Sequence, residues 1–428
     1  MSFDKILLNN LIGQGTYGTV YKCVNEFNDE MAVKCINIKE DGIPCLMELS
    51  LMSSVSHLYL NSAIKIHLTS SKIYIIQNLA ISDLHQWRKN NQRPPDEQLR
   101  SWSFQLLTAI HFLHKNNIIH HDIKSTNILI FSSGNQLILK LSDFSLSCFT
   151  STSSDLIGTY THLPIEVWLG RHFNEKIDIW ALGCTLFELN FGYSLIPPQL
   201  VLDTSDSLTT KYNQLTDMYI NTLINLSEQL SQSPKFEYRS PCGAGTKVQQ
   251  YTPCLLPPHS SLPFATFLFS LLIVDPISRP STSDLLSLPY FSSLISPTLS
   301  PIPLRQTLPP FVFSNIQKTV RKLLSSTFSD DTLINRLTTT SLQIISKLSS
   351  LSSLSDTLKI IGAVWISFKL VLKYSPQPSF FSSLAALSLS QLVQLEKTIT
   401  TFLHFNLLHF PFIVNFDPQI YSTSVPIN

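Results

Sequence analysis

Charge is scarce in this chain. Asp, Glu, Lys and Arg make up 14% of its 428 residues, against roughly 25% in an ordinary globular domain, and they nearly cancel, to a net +1. Serine, threonine and leucine fill the gap. So even a balance leaves no bulk footprint for nucleic acid or an anionic lipid surface. Met1–Asn10 has no basic stretch followed by a long apolar core, so no secretory leader is visible. The most apolar window, Ile360–Leu372, is too short to cross a bilayer and contains Lys369. The cysteines, at positions 23, 35, 45, 148, 184, 242 and 254, include no Cys-x-x-Cys pair with a matching partner. These absences describe a reduced intracellular protein, of nucleus or cytoplasm, with no nucleic-acid or membrane partner. The length allows two or three domains with real cores.

What is present is concentrated in short motifs. Ile118–Leu129 reads Ile-Ile-His-His-Asp-Ile-Lys-Ser-Thr-Asn-Ile-Leu and sets Asp122, Lys124 and Asn127 between two apolar anchors. A carboxylate, an ammonium and an amide held this close suit phosphoryl transfer: one orients a hydroxyl, one neutralises phosphate, one ligates a metal. Upstream, Gly13, Gly15 and Gly18 form G-x-G-x-x-G within Leu11–Val20. Glycine is needed where backbone must approach phosphate without a Cβ in the way. A dinucleotide fingerprint would require a helix next. Thr19–Val24 alternates as a strand instead, which favours a hairpin over the phosphates. In Met31-Ala32-Val33-Lys34-Cys35-Ile36 a lysine sits inside an apolar strand and needs a partner. Glu48 is the one acid in Pro44–Met52.

The order of these motifs resembles eukaryotic Ser/Thr protein kinases, and within them the cyclin-dependent kinase group, over about residues 5–292. The resemblance implies an α+β bilobal protein kinase fold, with a β-rich N-lobe and an α-rich C-lobe. It implies ATP and Mg2+ as cofactors and protein Ser or Thr hydroxyls as substrates. It assigns catalysis to Asp122, Lys124, Asn127 and Thr159, and metal binding to Asn127 and Asp143 of Asp143-Phe144-Ser145. Around ATP it places Ile12, Gly13, Gly15, Gly18, Val20, Ala32, Lys34, Glu48, Gln77, Leu79, Asp83 and Leu129, with Gln77 as gatekeeper and Asp83 at the ribose. Asp178 would brace the catalytic loop, and Glu166 would pair with Arg279. The departures are His121 for the family's Arg, Ser145 for Gly, and Leu163-Pro164-Ile165-Glu166 at the Ala-Pro-Glu end. Three arginines that grip an activation-loop phosphate in these kinases are Met47, His121 and Cys148 here. A phosphate on Thr150–Ser154 would find no Arg cluster, so activity independent of that phosphorylation is expected. A pseudokinase scaffold is the rival.

Three segments follow from this: a kinase domain over 1–292, a Pro/Ser-rich linker over 293–312, and a helical domain over 313–428. Residues 194–262 form a Ser/Pro-rich insert. In the last segment Leu354, Leu358, Ile361, Trp365 and Phe368 recur at helical spacing, as do Leu389, Leu392, Leu395, Ile399 and Phe402. Asp331, Ser355 and Ser388 suit N-caps, and Ser388 with Gln391 fits a capping box. Leu358–Lys369 and Gln391–Leu407 resemble two helices of a cyclin box, with a fainter match at Val320–Leu324. That resemblance implies an all-α, cyclin-like domain acting as an intramolecular partner, with Lys369 and Glu396 facing the kinase. A helical extension unrelated to cyclins explains the same periodicity.

Overall fold

The computed structural model describes residues 7–15, 18–25, 27–38, 46–55, 57–134, 136–149, 158–168, 172–196, 261–273, 275–294, 320–321, 324, 330–348, 351–372, 387–404 and 407. Most of the insert, most of the linker, residues 39–45 and residues 150–154 lie outside them.

The chain opens with β1 (Leu7–Gly15), β2 (Gly18–Val24) and β3 (Glu30–Asn37). β1 and β2 form a hairpin that closes with Gly15 opposite Gly18. A Cβ on Gly18 would run into the carbonyl oxygen of Cys35, so the turn needs glycine there. After α1 (Leu46–Ser54), β4 (Lys65–Leu68) and β5 (Lys72–Asn78) complete a five-stranded antiparallel sheet, in the order β1-β2-β3-β5-β4.

α1 has buried residues on every side, with Leu46, Met47, Glu48, Leu49, Leu51 and Met52 each no more than 3% exposed. A helix apolar all round must be covered all round. The sheet covers only part of it.

Next come β6 (Ser82–Asp83), α2 (Leu84–Asn90) and α3 (Asp96–Lys115). The stripe Leu99, Trp102, Leu106, Ile110 and Leu113 is fully buried, as its spacing predicts. β7 (Ile118–Ile119) leads into the catalytic loop. β8 (Ile128–Ser133) and β9 (Gln136–Leu141) join β6 in a second sheet, and β10 (Cys148–Phe149) pairs back onto β7. α4 (Ile165–Trp168), α5 (Lys176–Phe191), α6 (Leu262–Leu271) and α7 (Thr282–Leu286) finish the helical lobe.

Beyond helical backbone at Val320, Arg321 and Leu324, the described residues include α8 (Asp331–Lys347), α9 (Asp356–Leu372) and α10 (Leu389–Phe402). Ser388 and Gln391 make the capping box the sequence suggests. Ser355 accepts from the Leu358 amide at 3.4 Å. At α8 the cap is Asp330, whose Oδ1 accepts from the Leu333 amide at 3.3 Å, one residue before the expected Asp331. Adjacent aspartates are equal candidates by type, and only the backbone geometry chooses between them.

α9 packs between α8 and α10, and also against α1 and β10. Leu49, Met52 and Phe144 of the first part therefore share one continuous apolar core with Trp365, Ile366 and Leu395 of the last. A fully buried side chain of this kind contributes about 1.5–3 kcal/mol. The cover that α1 needs is supplied by the C-terminal helices.

Candidate active site

The loop after β7 is held by one buried carboxylate. Asp178 of α5, 1% exposed, accepts from the amides of His120 at 2.8 Å and His121 at 3.0 Å, and contacts His114 Nε2 at 3.0 Å. Burial pushes the Asp178 carboxyl up, but hydrogen bonding to His114 and the charge there bring it below the ordinary carboxylate range. His121 sits at φ +72°, a conformation that costs a non-glycine residue about 1–3 kcal/mol and persists only where its surroundings over-determine it. The two amide bonds to Asp178 are that constraint. His121 turns its ring edge-on to Phe173, with centroids 5.1 Å apart.

Asp122 then lies at the centre of a hydrogen-bond net. Its Oδ1 accepts from Thr159 Oγ1 at 2.6 Å, and its Oδ2 lies 2.8 Å from Lys124 Nζ and 2.9 Å from Asn127 Nδ2. Lys124 also donates to Thr159 Oγ1 at 2.8 Å, and Asn127 to the Asp122 carbonyl at 2.8 Å. Burial raises the Asp122 carboxyl, and the bonds from Lys124 and Thr159 outweigh it, so the group lies below its usual range and stays ionised. Thr159 is delivered by Gly158, at φ +116°, where a Cβ would stand 2.7 Å from the His121 carbonyl oxygen.

Lys34 of β3 contacts Glu48 of α1 and lies 3.4 Å from Asp143 Oδ1. The lysine inside an apolar strand thus has the partner its burial demands. Glu48 is 1% exposed, and burial pushes its carboxyl up while Lys34 pulls it down. Asp143 takes a left-handed backbone at φ +63°. Burial raises its carboxyl, but the Lys34 charge and a hydrogen bond from Ser145 bring it below the ordinary range. Ser145 itself is not among the positive-φ residues, so the serine in place of glycine is tolerated here and gains a bond to Asp143. His120 places Nε2 3.1 Å from the Ser142 carbonyl and packs edge-on against Phe144 at 5.4 Å. Its role is structural.

The sheet register brings the other cleft residues together. Val20 stands opposite Lys34, Ala32 opposite Gln77, and Asp83 opposite Leu129. Gly13 and Gly15 lie on the hairpin above, with Ile12 at 50% exposure. Leu79 follows β5 and is half-buried. Asp83 has a second duty: its Oδ1 accepts from the Gln86 amide at 2.8 Å and caps α2.

Gln77 accepts a short hydrogen bond from Asn61, both side chains being buried. No sequence motif marks Asn61, because the contact joins residues from separate segments. Glu166 and Arg279 pair as expected, at 2.7 and 3.3 Å, fully enclosed, with Trp180 stacked on the guanidinium at 5.2 Å.

Among the described residues no cluster of three His, Cys, Asp or Glu side chains could cage a metal. The Asp143 carboxylate and the Asn127 amide oxygen fit Mg2+ instead, since that ion binds one or two protein oxygens and fills its shell with phosphate and water.

A protein kinase domain model matches residues 7–291. The chain belongs to the protein kinase family. Two curated relatives are mitogen-activated protein kinases of Arabidopsis thaliana. Number 14 is 28% identical over 302 residues, covering 68% of this kinase and 80% of the relative. Number 7 is 27% identical over 305 residues, covering 68% and 79%. The protein is therefore a serine/threonine kinase, of a family that uses ATP and Mg2+. Both relatives are mitogen-activated rather than cyclin-dependent kinases by name. The kinase match ends before the C-terminal helices.

In those helices Lys369 and Glu396 come together as an ion pair of 2.9 Å, 8% and 0% exposed. Trp365 Nε1 donates to the same carboxylate at 3.0 Å. The two residues expected to face the kinase thus pair with each other, across α9 and α10. The neighbouring Lys397 reaches the kinase sheet, donating to the Ser70 carbonyl at 3.0 Å. Arg321 bonds Asn335 at 2.7 Å and Asp331 at 3.2 Å. No helix among the described residues is long and apolar enough to cross a membrane.

Proposed function

We propose that this kinase transfers the ATP γ-phosphate to protein Ser and Thr hydroxyls, and that its own C-terminal helices hold it in the active arrangement as a cyclin-like activator in cis. Asp122 orients the substrate hydroxyl and takes its proton. The hydroxyl oxygen forms the new bond to the γ-phosphorus as the bond to ADP breaks. Lys124 neutralises the charge on the transferred group, and Thr159 fixes both side chains. Lys34, braced by Glu48, holds the ATP phosphates. Asn127 and Asp143 hold Mg2+, which when bound neutralises phosphate charge. Ala32, Gln77, Leu79 and Leu129 enclose adenine.

The observation that carries the cis-activator reading is the burial of α1. That helix bears Glu48, and its outer side packs on α9 within a shared core. If α9 leaves, α1 exposes leucine and methionine to water and loses its fixed position. The intact set Lys34, Glu48, Asp122, Lys124, Asn127 and Asp143, brought into one cleft, argues against an inert scaffold.

The test is a protease site placed between residues 295 and 312. Intact protein should transfer phosphate at a rate per molecule that does not change on dilution. Cleaved protein should match it when concentrated and fall at least tenfold on dilution, because the linker no longer supplies an effective concentration in the millimolar range. Full activity of the cleaved and diluted protein would refute activation in cis. A dead intact protein would support the scaffold.

A further inference from the structure

Arg336 of α8 lies over the ring of Phe149, with its guanidinium carbon 5.4 Å from the ring centroid. Phe149 belongs to the kinase part and ends β10. Arg336 belongs to the C-terminal helices. Burial pushes this guanidinium below its ordinary range, and its Nη1 is enclosed with no hydrogen-bond partner. A cation withdrawn from water and left with an unfilled donor is costly. In a chain so poor in charge, its placement against an aromatic face is the compensating contact, since a desolvated guanidinium is strongly attracted to a ring.

The position of Phe149 gives the contact its consequence. In the β10–β7 ladder Phe149 pairs with Ile118 and Cys148 with Ile119. The residue after Ile119 is His120, the first of the loop that carries Asp122. Ser147, just before β10, donates to the His120 carbonyl at 3.3 Å. A force on Phe149 is therefore applied to a two-residue ladder that ends at the catalytic loop.

We propose that Arg336 is a positioning residue, a clamp that the C-terminal helices apply to β10 and through it to the catalytic loop. It completes the action on α1: one contact surface holds Glu48 near Lys34, and Arg336 holds the strand beside Asp122. The proposal rests on the cis-activator reading and adds a second, separable contact to it.

The experiment uses full-length protein and steady-state kinetics on a Ser/Thr peptide. Arg336→Gln and Phe149→Leu should each lower kcat about tenfold, the scale of a desolvated cation–π contact, with KM for ATP within about twofold. The double variant should fall no further than Phe149→Leu alone, because that change already removes the contact with Arg336. Phe149→Tyr keeps the ring face and should recover most of kcat. Thermal unfolding shows whether each variant folds. If Arg336→Gln unfolds, the contrast of Phe149→Tyr with Phe149→Leu decides alone. Arg336→Gln within twofold of wild type, additive losses in the double variant, or equal rates for the Tyr and Leu variants would each overturn the clamp. Loss of activity on cleavage and dilution, with Arg336→Gln unaffected, overturns the clamp and leaves the cis-activator reading standing. Full activity after cleavage and dilution overturns both.

Discussion

Glu396 ties α9 to α10 through a buried ion pair. Its carboxylate is fully buried and receives Lys369 Nζ at 2.9 and 3.1 Å and Trp365 Nε1 at 3.0 Å. Glu396→Gln keeps the shape and one acceptor but removes the charge. The buried Lys369 ammonium then loses the charge of the Glu396 carboxylate. Breaking a buried pair from one side costs about 3–5 kcal/mol, most of it the burden of the stranded charge. That is a large share of what holds a domain of this size together. The assay is urea unfolding followed by Trp fluorescence, for which buried Trp365 is a reporter, in parallel with phosphate transfer. The expected result is a drop of about 3 kcal/mol for the C-terminal transition, with a matching loss of activity because α1 loses its cover. Replacing both partners, as Lys369→Met with Glu396→Leu, should recover much of the stability, since a well-packed apolar pair is often no worse than the ion pair. A change below about 0.5 kcal/mol for Glu396→Gln would refute the argument.

Four other outcomes follow. Gly158→Ala places a Cβ 2.7 Å from the His121 carbonyl at φ +116°; it should displace Thr159 and lower kcat by about tenfold or more, checked by kinetics. Glu166→Gln removes the buried carboxylate from the enclosed Arg279 guanidinium and should destabilise the helical lobe by about 3–5 kcal/mol, read by chemical denaturation. Alanine at all five positions from Thr150 to Ser154 should leave the rate within tenfold of wild type, measured with peptide substrate. Asp122 and Asp143 both lie below the ordinary carboxylate range, so their contribution is present above that range and lost only as pH falls through it. His162 is pushed down to about 4 by burial. The kcat profile should therefore be flat from roughly pH 6 to 8; an acid limb with a midpoint near 6.5 would assign the chemistry to a histidine instead.

The sequence made the candidate catalytic residues legible because each sits in a short motif whose backbone geometry is local. Asp122, Lys124 and Asn127 fall within six positions. Glu48 was identifiable by elimination, as the one acid near a lysine that had to be paired. Contacts between distant segments carried no such mark. Asn61 beside Gln77, Ser145 on Asp143, and Arg336 over Phe149 depend on how separate elements cross. The mutual pairing of Lys369 and Glu396 was hidden for the same reason: each residue was recognisable on its helix, but helical spacing does not say which side chains meet across two helices. The N-cap of α8 was missed by one residue, because Asp330 and Asp331 are alike in everything but φ and ψ. The cover on α1 was foreshadowed by its composition, since leucine and methionine on all sides of a short helix require packing on all sides.

In the arrangement proposed here the C-terminal helices seat α1 and so keep Glu48 on Lys34. Amide hydrogen exchange across Leu46–Ser54 tests it most directly, comparing intact protein with protein cleaved in the linker and diluted. Protection across α1 should fall by about tenfold or more on cleavage and dilution, while protection across α3 should be unchanged. Equal protection of α1 in the two forms would contradict it.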